Sequence, residues 1–108
     1  MRTIRLAADY QCYPLWKASP GEVGNIAPAD LPISAELCEK LMLWAGKFDR
    51  TLNMNDPARS GFSSYEAAEE FRSDGLKLAE HLQAELGAEY SIVLGKHLSS
   101  ISKRPGAN

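Results

Sequence analysis

A chain of 108 residues, 44% hydrophobic and 24% charged, can fill one hydrophobic core but not two, and its composition is that of a folded soluble domain. The net charge of −2 is unevenly placed: from Lys96 onward there are three bases and no acid, so residues 1–95 carry −5. An acidic body without a basic stripe argues against a nucleic-acid-binding module, and it suits either a basic protein partner or an acidic surface kept for solubility.

Cys12 and Cys38 lack Cys-x-x-Cys spacing and read as buried thiols of a reducing cytosol. Arg2, Arg5 and Asp9 leave no room for a secretory h-region, and no apolar run approaches the ~20 residues of a membrane span. The expected location is cytoplasmic.

Residues 3–12 alternate, with Ile4, Leu6, Ala8, Tyr10 and Cys12 on one side and Thr3, Arg5, Asp9 and Gln11 on the other. Period two with one polar side predicts a half-buried strand, and makes Cys12 its last inward residue. Pro14 interrupts the ladder. Beyond it, Ser19-Pro20-Gly21 is a turn sequence between two short apolar runs, which predicts an irregular hairpin. Pro28 and Pro32 predict an extended approach to the next element.

Ser34 is a good N-cap, and Leu37, Leu41, Trp44, Ala45, Phe48 and Leu52 then recur at helical spacing. They predict an amphipathic helix over 34–53, closed by the turn formers and proline of 53–57. A second helix opens at Ser63-Ser64-Tyr65-Glu66, read as a capping box between Ser63 and Glu66. Ala67, Phe71, Gly75, Leu78, Leu82 and Leu86 form its buried side, with Gly75 excused by close approach of a neighbouring backbone and Gly87 as the stop. Tyr90–Leu94 is β-branched and apolar, hence a strand.

The order predicts an α+β fold: a small β-sheet of N-terminal strand, irregular hairpin and C-terminal strand, covered on one face by two helices. Residues 1–97 form this single domain, and 98–108 a flexible basic C-terminal tail.

Chemistry-bearing patterns are sparse. His81 and His97 have no companions at metal-ligand spacing, so no metal or other cofactor is expected. There is no Gly-x-Gly-x-x-Gly, Walker loop or nucleophile elbow. Glu66, Glu69, Glu70 and Asp74 line the exposed side of the second helix, with Asp56 before it. Acids in a first helical turn answer the dipole without any catalytic task, so an enzyme is the weaker hypothesis. Tyr13 falls opposite the inward side of the first strand. Trp16, beyond Pro14, either caps the helix layer from one end or anchors an interface.

The runs AADYQCYPLW, GEVGNIAPADLPIS, LWAGKFDRTLN, DPARSGF and AELGAEYSIVL resemble a family of small bacterial proteins that occur as immunity proteins beside polymorphic and contact-dependent growth-inhibition toxins. The resemblance spans about residues 1–95 and leaves the tail outside it. It implies an inhibitor that binds one cognate toxin, often a nuclease, one to one in the cytoplasm, and it carries over no catalytic residue. The expected partner-binding residues are the acids Asp9, Asp56, Glu66, Glu69, Glu70 and Asp74, with Tyr13 and Trp16 as aromatic anchors. The rival readings are a small cytoplasmic adaptor unrelated to toxins and a minor enzyme using the acids of the second helix.

Overall fold

Alternation at the N-terminus produces a strand, β1 (Arg2–Leu6), whose Ile4 and Leu6 are buried while Arg5 is exposed. The computed structural model describes residues 2–52, 61–95 and 98. Asp56, His97, the expected helix stop at 53–57 and residues 99–108 of the tail lie outside the described residues.

The strand is shorter than the predicted 3–12. The Ala7 amide donates to the Pro14 carbonyl and the chain then turns, with Cys12 N–H donating to the Asp9 carbonyl. The Asp9 side chain accepts from the Tyr10 amide, drawing that backbone away from any ladder. Gln11 sits at φ 60, with its amide held by the Asp49 carboxylate at 2.8 Å. Tyr10 is covered by stacking on Phe48 rather than by the sheet. Cys12 is half-buried in this turn, not the end of a strand.

The hairpin forms as predicted, from β2 (Leu15–Lys17) and β3 (Asn25–Ile26). Gly21 at φ 81 follows Pro20, and Glu22 N–H donates to the Ser19 carbonyl at 2.9 Å, the geometry of a type II turn. The following prolines do not stay extended. Residues Pro28–Asp30 close a 3₁₀ turn that buries Pro28 and leads to buried Leu31.

Helix α1 (Ala35–Asp49) is capped by the Ser34 hydroxyl, which accepts from Leu37 N–H. It ends a turn earlier than predicted: Thr51 N–H donates to the Phe48 carbonyl at 3.0 Å and Leu52 N–H to the Asp49 carbonyl at 3.1 Å, a tightened last turn to which the Thr51 hydroxyl adds a bond to Phe48. Helix α2 (Tyr65–Leu86) is capped by Ser64, whose hydroxyl accepts from Ala67 N–H. The cap thus lies one residue beyond the predicted Ser63–Glu66 box, and its N3 position is Ala67, which has no carboxylate to complete a box. Glu66 still sits in the first turn, where the dipole favours it. Helix α2 ends at Gly87, and β4 (Tyr90–Leu94) follows as predicted.

Among the described residues the sheet order is β3-β2-β1-β4, with β4 parallel to β1 and the other pairs antiparallel. Leu6, Leu15 and Leu94 share one side by register, joined by Ile4, Ile92 and Ile26. Both helices lay their apolar stripes there, α1 through Leu37, Leu41 and Trp44, α2 through Phe71, Leu78 and Leu82. The opposite side of the sheet carries the row Val93, Arg5, Trp16 and Asn25. The outer edge of β4 is blunted by Gln83, whose amide donates to the Tyr90 carbonyl and accepts from Ile92 N–H.

Two packing details depart from expectation. Leu98, assigned to the tail, is 1% exposed and belongs to the core. Gly75 is crossed by a side chain, not a backbone: a methyl there would lie 2.6 Å from Trp44 Cζ2 and 3.3 Å from Leu98. Trp44 stacks on Phe71 at 4.4 Å and donates its indole N–H to the Phe71 carbonyl. Phe71 and Gly75 are one turn apart, so a single helical turn supplies ring, acceptor and space.

Candidate functional site

Stacked rings define one end of the molecule. Tyr10 lies 4.6 Å from Phe48, and Phe62 lies 4.9 Å from Phe71, with Phe48 between the two pairs. The cluster ties the 9–12 turn, the end of α1 and the start of α2 together. Asp9 is exposed beside it, and Glu66 and Glu70 are exposed on the first turns of α2. These three predicted site acids thus share one end of the molecule.

Of the other predicted acids, Asp56 lies outside the described residues, and Glu69 and Asp74 are engaged. Glu69 meets Arg72 at 2.8 Å, and Asp74 meets Lys47 across the helix pair at 3.5 Å. Tyr13 is 43% exposed, with its backbone clamped by the Asn25 side chain, which accepts from Tyr13 N–H and donates to its carbonyl. Asn25 is a residue that sequence reasoning passed over, although Gly-Asn in a hairpin is a signal for such a role. Trp16 does not cap the helix layer. It is half-buried on the opposite face of the sheet, with its indole N–H donated to the Ala7 carbonyl at 2.9 Å.

A groove of about 440 Å³ runs between α1 and α2. Its floor is Trp44 and Leu78, and Leu43 stands in its wall 61% exposed. Among the described residues the rim holds Lys40, Lys47, Arg50 and Lys77, against one acid, Asp74. This is a patch of basic sign on an acidic body. Lys40, Leu43, Trp44 and Lys47 follow the i, i+3, i+4, i+7 rule, so helical spacing marks the α1 wall, but it does not show that Lys77 and Leu78 of α2 face it. A smaller cleft of about 220 Å³ shares Lys47, Arg50 and Asp74 and reaches Phe62 and Glu70.

At the far end of the helix pair, the Glu85 carboxylate accepts from the Ser34 amide at 2.6 Å and from the Ser34 hydroxyl at 2.8 Å. His81 Nε2 lies 3.0 Å from the same carboxylate. The Ser34 amide, then its hydroxyl, hold the Glu85 carboxyl below its ordinary value against the opposing effect of desolvation, with His81 adding to the lowering. Serine, acid and histidine meet here in an order unsuited to nucleophilic catalysis, because the carboxylate separates the hydroxyl from the imidazole. Among the described residues no three His, Cys, Asp or Glu side chains converge as metal ligands, and no helix is long and apolar enough to cross a membrane.

Residues 2–96 match the family described as Serratia CdiI immunity protein-like. No curated protein matches the chain. The match covers nearly the whole folded body, and the chain belongs to this family of immunity-type proteins.

Proposed function

From membership of the Serratia CdiI immunity protein-like family, we propose that the chain protects the cell that makes it by binding one cognate toxin domain, one to one, in the cytoplasm. It acts by occlusion: the bound chain covers the active or substrate-binding surface of the toxin and leaves the toxin chemically unchanged. The toxin is a nuclease. Its phosphate-binding face is basic, and a body of charge −5 attracts such a face.

Family membership over residues 2–96 carries this reading. The local charge supports it. Asp9, Glu66 and Glu70 are exposed around the aromatic end, where acids steer encounter more than they set lifetime. Tyr13 and Trp16 supply aromatic surface, the former more than the latter because the Trp16 indole is already tethered. Glu69, Asp74 and Asp56 complete the acidic set, the first two through carboxylates that already hold a base.

The test is co-expression with the toxin domain encoded beside this chain, in cells that the toxin alone kills. Survival, and co-elution of the two on gel filtration, is the expected result. Death despite soluble folded protein, with no complex, would overturn the reading in favour of an adaptor without a toxin partner.

A further inference from the structure

The groove between α1 and α2 is opposite in sign to the body that surrounds it. Four bases rim an apolar floor, and among the described residues Arg50 and Lys77 have no ion-pair partner. The floor is rigid: Trp44 is stacked, hydrogen-bonded and 2% exposed. A preformed pocket of about 440 Å³ has the size that receives one large apolar anchor, and buried anchors in pockets carry most of an interface's energy. Leu43 beside it, 61% exposed, adds apolar area that the fold itself does not use.

We propose that this groove receives an acidic segment of the toxin, with an apolar side chain against Trp44 and Leu78 and flanking carboxylates on Arg50 and Lys77. The proposal rests on the immunity reading and names the surface through which it works. Charge selects the occupant. The chain's own last 13 residues contain bases and no acid, so the rim repels them. A basic toxin surface is repelled in the same way, which leaves an acidic segment of the partner.

Continuity with the acidic end supports the assignment. The smaller cleft shares Lys47, Arg50 and Asp74 with the groove and leads to Glu70. A toxin that lays a basic surface over Glu66 and Glu70 therefore has the groove within the same footprint. The result is a docking surface of two signs. Reversing the toxin on it would put acid against acid and base against base, so the surface fixes orientation as well as contact.

The experiment uses the full chain and the neighbouring toxin domain, with affinity measured by calorimetry and lysines footprinted by acetylation. In the complex, Lys40, Lys47 and Lys77 should lose reactivity. Arg50→Glu with Lys77→Glu should weaken binding by about tenfold or more. Leu43→Ala, at an exposed site that leaves the fold intact, should weaken it less, by a few-fold. A complex that forms with the groove lysines still reactive, and with unchanged affinity in both variants, overturns the proposal and leaves the immunity reading standing. Absence of any wild-type complex overturns both. Protection of the same lysines in the free chain, with a dimer on gel filtration, assigns the groove to a second copy and overturns it too.

Discussion

The two ends of the helix pair are fastened by different chemistry. Where α1 ends and α2 begins, rings pack: Trp44 stacks on Phe71, Phe62 is tilted against Phe71, and Phe48 stacks on Tyr10. Where α1 begins and α2 ends, a carboxylate takes two hydrogen bonds from Ser34 and lies 3.0 Å from His81 Nε2. Ring burial is large in area and indifferent to pH, whereas the polar clasp is small, partly wet and tied to the ionisation of Glu85. The aromatic end should thus dominate stability, and the clasp should give it a pH dependence.

The sharpest way to break this comparison is to empty each end in turn. Phe71→Ala removes a buried ring, the Trp44 stack and the Phe62 contact, and should cost about 3–5 kcal/mol in urea unfolding. A cost no greater than that of Ser34→Ala would show that the rings do not hold that end. Gly75→Ala sharpens the same point. On helix propensity alone it should gain about 1 kcal/mol, but the added methyl meets Trp44 at 2.6 Å. Net destabilisation of about 1–3 kcal/mol is expected, and a stabilised protein would show that Trp44 can move aside.

Ser34→Ala removes both the cap and the hydroxyl bond to Glu85, and should cost about 1 kcal/mol, within a range of about 0.5–2. Glu85→Gln tests the ionic part and should be the smaller change. A carboxyl held below its ordinary value stabilises the fold fully at pH above the unfolded value of about 4.3. That contribution fades as the pH falls from there through the folded value. Thermal melts of wild type and Glu85→Gln should therefore differ at pH 7 and converge towards pH 3. A difference that stays constant over this window would mean that the carboxylate charge has no part in the clasp. Smallest of all in stability is Glu66→Lys, exposed at the start of α2, expected within about 0.5 kcal/mol of wild type. Its effect belongs to association, which stopped-flow mixing with the toxin should find slowed, and more so at low salt.

Much of the fold was legible, and the reasons lie in particular elements. The buried stripe of α2, Phe71 to Leu86, is legible because long helices repeat their signal over several turns. Strand β4 is legible to its residue bounds because apolar and β-branched residues stand between Gly87 and Gly95. The 3–12 alternation failed at its second half: Ala8, Tyr10 and Cys12 keep period two through a turn, and alternation cannot say whether a partner strand is present. Ser63 and Ser64 are equivalent as caps in one dimension, and the burial of Phe71 and Leu78 sets which of them begins the helix. Of the candidate site, the exposure of Glu66 and Glu70 is legible from helical phase, whereas Tyr13 is exposed beyond the turn and not by the strand phase that predicts it. The engagement of Asp74 by Lys47, and the basic groove beside it, are not legible in the sequence.

The sequence by itself determined the element types, their order, the faces that the helices bury and the charge of the body, because each depends on neighbours within a few positions along the chain. Only the tertiary structure decided that β4 lies parallel to β1, that Leu98 enters the core, that Trp44 fills the space Gly75 leaves, and that Ser34 meets Glu85. It also decided the polarity of the surface. Lys40, Lys47, Arg50 and Lys77 belong to two helices far apart in sequence, and a net charge sums over the chain without regard to place. Folding brings these four to one groove, and a field falls off with distance through space, not with separation along the chain.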